Sequence, residues 1–400
     1  MANSLPVTLK IAKKCLAIIK NNPGMIPTVN RDYEQEFGTA GGYDSGSQIL
    51  IKKPPRYSVR AGRVATPQDT VVQTVPLNVT QWGVDLWKTR LEGTLNENAL
   101  DKRLEAASAA LVTEIDRQGF EMAKFSAFNV LNPAGVAPNT QALAVAAATD
   151  VGARLSDLGA PIDNMRYFAA NPRTNGYLIA GMSGMFNAVS TISGQFNTGQ
   201  MKNALGFDFV MSQNVSTHTN GAATATNING ANQTGSALTV VAVAAGTLTK
   251  GTRITLPGVF AVNPQTRQTT GQLANFIVTA DALAGATTIN ISPAIVTSGN
   301  FQNVTASPTT AAPYVIQGAA STTYGVNVAY HQDAFTLAML PMETPPAGSG
   351  ATSSQVTEDG VTIKVTQYWD GKEDVSNLRL DALFGFAPTY PELACAYYVV

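Results

Sequence analysis

One long amphipathic helix, predicted between Leu95 and Phe128, constrains this chain more than any other feature. Thr94 can cap its start, and Glu97 can return the bond three residues later as a capping box does. At 1.5 Å per residue the helix would be about 45 to 50 Å long, longer than a small domain is wide. We therefore interpret it as a strut shared by several substructures, although taken alone it also fits the core helix of an α+β enzyme. Apolar residues recur at helical spacing and form one stripe at Leu100, Leu104, Ala107, Leu111, Ile115, Met122 and Phe125.

The low charge of the chain indicates that much of its surface is covered. Of its 400 residues, 44% are hydrophobic but only 13% are charged, about half the charged share of an ordinary soluble domain. A weakly charged surface does little to prevent association, so we expect much of it to be buried between subunits. The formal net charge of −1 argues against an electrostatic nucleic-acid binder, which carries a basic excess.

Cysteine usage and the apolar segments indicate a reducing compartment and no export. Cys15 and Cys395 are too few for a disulfide framework or a metal site. Lysines interrupt the apolar stretch from Val7 to Ile19, which also lacks the cleavage site of a secretory signal. No apolar run approaches the roughly 18 residues that cross a bilayer. We therefore expect no membrane association.

The first 80 residues predict an arm and a protruding hairpin. Residues 5–20 form a short amphipathic helix that either docks on its own domain or reaches a neighbour. A glycine-rich connection at 30–47 follows. Alternating apolar residues from Ile49 to Lys52 and from Val71 to Val79 then predict two strands joined by a long loop. An isolated hairpin is marginal in water, so this one needs a surface of its own chain or of a neighbour.

The loop of this hairpin is basic, with no acid before Asp69. The commoner explanation for such a run is a solvated loop. The sharper hypothesis is an intersubunit arm whose bases meet acidic groups on the next subunit. The five bases are Lys52, Lys53, Arg56, Arg60 and Arg63.

The middle of the chain changes character after a short α/β portion. Residues 81–92 are expected only to connect the hairpin to the long helix. Residues 129–150 are expected to form a loop with a partial helix. From about 218 to 312 charge nearly vanishes, and short strand patterns recur between turn residues, which is typical of a small inserted β-barrel. Helices are predicted at Val151–Leu158 and Thr174–Val189. Strands are predicted at Arg166–Ala170, Gly206–Val210, Leu238–Val243, Arg253–Leu256, Asn275–Thr279, Thr287–Ile291, Val326–Tyr330, Ala334–Met339, Val361–Trp369, Leu378–Phe386 and Leu393–Val400.

No motif in the chain carries chemistry. It has no phosphate-binding glycine loop, dinucleotide fingerprint, nucleophile elbow or zinc spacing. Its two histidines, His218 and His331, have no neighbouring pattern of an activated nucleophile. Three acids near Lys372 indicate a solvated turn rather than a metal site. We therefore predict a building block, not an enzyme, with no cofactor; the acids are Asp370, Glu373 and Asp374.

The succession of arm, hairpin, long helix, central portion, β insertion and return strands resembles the major capsid protein of tailed phages, with the Hong Kong 97-type fold. Residues 258–279, which begin GVFAVNPQTRQTTG, are similar to the core of the insertion domain in short-tailed-phage coat proteins. Residues 247–255 are similar to the lead-in of that domain, except that Thr252 stands where an Asp is common. A weaker similarity is Val326–Phe335, which leads into the return strand. Gly385–Leu393, with Tyr390-Pro391-Glu392 near its end, is similar to the turn at the closing strand of the same proteins.

The resemblance implies an α+β subunit that assembles in many copies, as pentamers and hexamers, into an icosahedral shell around a double-stranded DNA genome. The hairpin bases would contact neighbouring subunits, and cross-linking through Lys52 or Lys53 is not expected in this group. The implied segments are an N-terminal arm (1–47), an extended hairpin loop (48–80), a peripheral domain with the spine helix (81–132), an axial domain (133–212), an inserted β-barrel (213–320), return strands (321–386) and a C-terminal strand (387–400).

The same resemblance implies partners and a location. A separate scaffolding protein, a portal protein and an optional cement protein would be partners, with weak nonspecific contact to packaged DNA. The protein would belong to the virion and be assembled in the host cytoplasm. The alternative is an extracellular or surface-layer β-rich binding protein, which the Thr/Asn-rich stretch from 218 to 312 favours and the missing export signal opposes.

Overall fold

The fold was analysed in a computed structural model, and it is described for residues 12–13, 24–33, 48–57, 63, 67, 72–88, 97–182, 199, 201, 203–346, 348–358, 361–373 and 375–400. Three α-helices lie in this part of the chain, namely α1 (Glu97–Ser126), α2 (Gln141–Asp157) and α3 (Pro172–Met182). The strands are β1 (Gln48–Lys52), β2 (Thr74–Asn78), β3 (Thr80–Lys88), β4 (Asn129–Leu131), β5 (Arg166–Ala170), β6 (Asp208–Met211), β7 (Thr217–Thr219), β8 (Gly235–Thr239), β9 (Arg253–Val262), β10 (Thr269–Val278), β11 (Thr288–Ile295), β12 (Val315–Ile316), β13 (Thr323–His331), β14 (Thr336–Leu340), β15 (Ala351–Glu358), β16 (Val361–Asp370), β17 (Val375–Ala387) and β18 (Ala394–Val399).

The chain divides into two compact units, each of which is assembled from distant segments. The described residues of Met1–Lys52, Thr74–Gly119 and Phe335–Ala387 form the first unit. Those of Lys53–Gln73, Phe120–Ala334 and Pro388–Val400 form the second. The polypeptide passes between the units within α1 and within the hairpin, so neither unit is a continuous stretch of sequence.

The predicted long helix is confirmed as α1, a 30-residue helix from Glu97 to Ser126. The predicted stripe residues Ala107, Leu111 and Ile115 are buried. Further along, Phe120 and Ala123 are buried in place of the predicted Met122 and Phe125, which are only partly covered. The predicted cap at Thr94 lies outside the described residues. No helix in the described part of the chain is long and apolar enough to cross a membrane.

The first unit is built on a five-stranded antiparallel sheet with β17 at its centre. One edge of β17 pairs with β16 and then β14, and the other edge pairs with β3; β15 lies beyond β16. Two of these strands differ from the prediction. The stretch 81–92 was expected only to lead into the long helix, yet it contains most of β3. The stretch from Ala351 to Glu358, for which no strand was predicted, forms β15, a polar strand whose backbone hydrogen bonds to β16 stabilise it.

The predicted hairpin pairing is confirmed in the first unit. β1 and β2 are antiparallel, with Gln48 opposite Asn78 and Lys52 opposite Thr74. Ile49 and Ile51 are buried while Leu50 is exposed, as their alternation predicts. The inward side chains pack on the sheet of the same unit, which supplies the surface that an isolated hairpin lacks. The cluster comprises Ile49, Ile51, Leu77, Val79, Ala338, Met342, Leu383 and Ala387.

The second unit contains a six-stranded sheet covered by α2 and α3. Its strand order is β4-β18-β13-β5-β6, with β7 also paired to β13. The structure corrects two predicted boundaries here. α2 begins at Gln141 rather than Val151, because Thr140 caps it and the alanine-rich run 142–148 favours helix. α3 begins at Pro172 rather than Thr174 and is described as far as Met182, and the remaining residues of the predicted helix, 183–189, lie outside the described part of the chain.

The charge-poor stretch folds as a second sheet in the same unit. Its strand order is β12-β9-β10-β11-β8, and all of its pairings are antiparallel. β9 and β10 are ten residues long, much longer than the patterns at Arg253–Leu256 and Asn275–Thr279 predicted. The sheet encloses its own apolar cluster, which includes Leu238, Ile254, Leu256, Phe276 and Ile291. The closure of this insertion into a barrel stays a prediction.

Candidate assembly site

The five predicted intersubunit bases occupy different environments. Lys52 ends β1 with its side chain exposed, and Arg63 is also exposed. Arg60 lies outside the described residues. Lys53 and Arg56 lie in the second unit, where both come close to Glu392. The structure therefore brings two of the five together.

Arg56 forms an ion pair within its own chain. One of its terminal nitrogens lies 2.9 Å from Oε1 of Glu392, and both side chains are largely covered, with 30% and 19% of their surfaces exposed. The guanidinium also lies over the ring of Phe301, 5.6 Å from its centroid. Covered pairs are screened less by salt than exposed ones, so this contact contributes more than a typical surface salt bridge.

Lys53 is held beside the same carboxylate. Its backbone N–H donates to the carbonyl of Gln73 at 2.8 Å, which continues the hairpin pairing beyond Lys52. Its ammonium group lies 5.1 Å from the centroid of the Tyr390 ring. Burial lowers the pKa of Lys53; the Glu392 carboxylate opposes this effect and the Arg56 charge adds to it. The intersubunit role of the five bases stays a prediction.

Sequence reasoning missed the acidic partner of these bases. Glu392 is 336 positions from Arg56, and Tyr390 and Phe301 are also distant in sequence. Tyr390-Pro391-Glu392 was singled out only as a turn near the closing strand. No local pattern links a carboxylate at one end of the chain to bases near the other end.

Arg253 is a second residue with long-range contacts that the sequence analysis did not identify. Its side chain is fully buried at the start of β9. It donates to the carbonyls of Lys124 and Ala127 at 2.8–3.0 Å, so it caps the carboxyl end of α1. It also donates to the Tyr398 hydroxyl at 2.7 Å. The sequence does contain a signal that could have drawn attention to Arg253. Charged residues are rare between 218 and 312, where the only ones are Lys250, Arg253, Arg267 and Asp281.

The histidines show no catalytic arrangement in the described residues. The Nε2 of His331 lies 3.1 Å from Asp163, and its Nδ1 lies 3.5 Å from Asp333. His218 is buried beside Thr252. Burial raises the pKa of the Cys395 thiol to about 12, so the thiol stays protonated at neutral pH. Among the described residues no group of His, Cys, Asp and Glu could hold a metal ion, and Lys372 and Asp370 share an ordinary turn hydrogen bond.

His218 gives the second unit a predictable dependence on pH. Burial, and then the charges of Arg253 and Lys124, lower its pKa from 6.5 to about 4. His218 therefore takes up a proton near pH 6.5 in the unfolded chain, but only near pH 4 in the folded chain. The resulting stability is fully present above pH 6.5 and is lost as pH falls towards 4, up to about 3 kcal/mol.

The measurement is the free energy of unfolding at pH 7, 5.5 and 4.5 for the wild type and for His218→Gln. Other carboxylates titrate in both proteins, so the difference between the two curves isolates this histidine. We expect the wild type to lose more stability than the variant on acidification. Parallel curves would contradict a depressed pKa for His218.

Comparison with known proteins identifies the family. A family model described as P22 coat protein, gene protein 5, matches residues 64–396. The chain belongs to the P22 coat protein family. The resemblance drawn from the insertion and the return strands is thereby confirmed, and this coat protein is a major capsid protein that forms the shell of a phage particle. Its role is structural, its location is the virion, and the surface-layer alternative is not supported. No curated protein matches the chain in sequence.

Comparison with solved structures finds chains that are similar to this coat protein over most of its length. A chain from Mycobacterium phage Che8 is 14% identical, with a TM-score of 0.50 over 94% of this chain and 91% of that chain. The bacteriophage PhiM1 mature capsid is 10% identical, with a TM-score of 0.43 over 89% and 83%. A virus-like particle from Pyrococcus furiosus is 7% identical, with a TM-score of 0.43 over 98% and 100%. The match to the chain from Mycobacterium phage Che8, at a TM-score of 0.50, confirms the predicted α+β, Hong Kong 97-type fold.

Proposed function

We propose that this coat protein builds an icosahedral shell of pentamers and hexamers around the double-stranded DNA of a tailed phage, and that its hairpin (48–80) lies on a neighbouring subunit. The supporting observation is that β1 and β2 have one buried face and one exposed face. The inward face is buried in its own unit, whereas Leu50, 55% exposed, stands opposite the exposed Pro76 on the outer face. Exposed apolar side chains at Leu50 and Pro76, next to the exposed charge of Lys52, are typical of a surface that a partner covers.

The five bases have two different roles in this proposal. Arg56 and Lys53 fix the root of the loop to Glu392. Lys52, Arg60 and Arg63 meet acidic groups on the next subunit. The seven-segment division, with an arm, a spine, an axial domain and an inserted barrel, belongs to the same proposal. The glycine-rich connection predicted at 30–47 lies outside the described residues from position 34 on.

The remaining partners follow from a shell that closes around DNA. A separate scaffolding protein would guide assembly in the host cytoplasm, and a portal protein would occupy one vertex. A cement protein would be optional. With a net charge of −1, the coat protein would make only weak and nonspecific contact with packaged DNA.

The test is assembly of a coat protein without the hairpin tip. Deletion of residues 54–67 should leave a folded monomer that forms no shells, with scaffolding protein present, as judged by sedimentation and electron microscopy. Because this deletion also removes the Arg56–Glu392 pair, Leu50→Glu is a gentler second variant that changes only the outer face. It too should fold and fail to assemble.

The matched control for the second variant is Leu283→Glu. Leu283 is 65% exposed in the charge-poor insertion, so the same substitution places the same charge on another exposed leucine. We expect Leu283→Glu to fold and to assemble. Normal shells from the deletion or from Leu50→Glu would refute the proposed role of the hairpin. Equal failure of both leucine variants would assign the defect to surface charge in general.

A further inference from the structure

A cavity of about 220 Å³ lies inside the second unit, between the two sheets and the root of the hairpin loop. Most of its wall is apolar and comes from the insertion and from the end of α2. A cavity of about 150 Å³ accommodates benzene, so this space holds an aromatic ring with a short chain attached. The apolar wall includes Phe128, Leu158, Phe276, Phe301 and Val304.

The positive and negative charges of the residues that line the cavity do not cancel. Lys53, Arg56 and Arg154 line the cavity together with a single carboxylate, Glu392. Their formal charges sum to +2, and the only ion pair among them joins Arg56 to Glu392. The field inside this apolar space therefore favours an anion.

Arg154 is the strongest indication of an anionic ligand. It is 98% buried in α2, yet its acceptors are neutral: Asn129 Oδ1 at 3.2 Å, Gln272 Oε1 at 3.1 Å and the Leu273 carbonyl at 3.1 Å. A guanidinium has five N–H donors, so three acceptors leave donors to spare. No carboxylate contacts it among the described residues. Burial lowers the pKa of Arg154, and this effect is only opposed by more distant interactions with Cys395 and Asp157.

An adjoining surface groove gives the cavity an entrance. The groove has a volume of about 410 Å³ and is bordered by Pro54, Pro55 and Tyr57 of the hairpin loop. It shares Arg56, Leu158, Pro264 and Glu392 with the wall of the cavity. A ligand that enters there would pass the Arg56–Glu392 pair before it reaches Arg154.

We propose that this cavity binds a small amphipathic monocarboxylate, with its ring or short chain against the apolar wall and its carboxylate at Arg154 and Arg56. An uncharged apolar ligand would leave the excess positive charge uncompensated. A compact inorganic anion would leave the apolar wall unfilled. A carboxylate can accept two parallel hydrogen bonds from a guanidinium, which suits the spare donors of Arg154.

The test uses the full unassembled chain and two ligands of matched shape. Titration calorimetry with 3-phenylpropionate should give saturable binding, and 3-phenylpropanamide, which lacks the charge, should bind at least about tenfold more weakly. Binding of the acid should weaken as salt is added. Absence of saturable binding of the acid, or equal binding of the acid and the amide, would overturn the proposal.

Variants locate the site. Ala294→Leu fills the cavity without changing its charge, and Arg154→Gln removes the buried cation; each should reduce affinity for the acid at least about tenfold. Should Arg154→Gln fail to fold, Arg56→Gln at the entrance removes a charge from a partly exposed position. Arg173→Gln, on the exposed face of α3, is the matched control and should bind as the wild type does. Unchanged affinity in Ala294→Leu would place the ligand elsewhere and refute the site.

Discussion

Replacing Arg253 with methionine is expected to lower the free energy of unfolding by about 3 to 5 kcal/mol, because several buried carbonyls lose their only charged donor. The guanidinium joins three parts of the second unit. It donates to Lys124 and Ala127 at the end of α1, to Gly251 before β9, and to the hydroxyl of Tyr398 in β18. It also lies 5.3 Å from the centroid of the Tyr398 ring.

The strength of this cap comes from the helix that it terminates. The last carbonyls of α1 have no partners inside the helix and carry the negative end of its dipole. A buried guanidinium supplies several donors in one plane and stays charged where an ammonium group would tend to lose its proton. Arg253 therefore joins the insertion to the spine helix through hydrogen bonds rather than through apolar packing.

Chemical denaturation of three variants tests this account. Arg253→Lys should show an intermediate loss, because it keeps a charge but loses the planar fork. Arg173→Met, an exposed arginine on α3, should change stability by less than about 0.5 kcal/mol. A loss below about 1 kcal/mol in Arg253→Met would contradict the importance of the cap, and wild-type stability in Arg253→Lys would contradict the importance of the fork.

Gly385→Ala is expected to destabilise the first unit by at least about 3 kcal/mol or to prevent its folding. Gly385 lies in β17, opposite Ala338 of β14. A Cβ there would lie 1.8 Å from the carbonyl oxygen of Asn78 and 2.7 Å from its carbonyl carbon. Both are backbone atoms of Asn78 at the root of the hairpin, so they cannot move aside as a flexible side chain could. The hairpin would therefore have to separate from the sheet.

Gly371→Ala is the control for this substitution. Gly371 lies in the turn between β16 and β17, where nothing stands within 4 Å of an added Cβ. Its replacement should leave the melting temperature nearly unchanged. For Gly385→Ala, thermal unfolding should show a lowered or absent transition, and shell assembly should fail because the hairpin is displaced. A wild-type melting temperature in Gly385→Ala would show that the backbone approach at Asn78 can relax.

Periodicity made much of the local structure predictable. The recurrence of apolar residues every three or four positions placed α1 to within two residues at each end. Alternation placed the inward Ile49 and Ile51, and it also located β16. The same reasoning failed where the pattern is weak. β15 is polar on both faces, and the alanine-rich start of α2 has no contrast between its faces.

The candidate site was far less predictable. The hairpin bases were identified from composition alone, because a run of five without an acid is visible in the sequence. Their partner Glu392 was not, and neither was the cavity at Arg154, since its wall is collected from the hairpin loop, α2, the insertion and the closing segment. A buried arginine and a solvated one look the same in sequence.

The sequence by itself determined the spine helix, the alternation of the hairpin, the charge-poor insertion and the family, because each depends on residue types at short, regular spacing. Only the tertiary structure decided which strands pair with β17, which side of Gly385 meets Asn78, and that Arg253 caps a helix that ends 127 residues earlier. Those contacts join residues far apart in the chain. They are selected by the fit of whole surfaces and by the need to satisfy buried polar groups, and neither requirement leaves a local pattern.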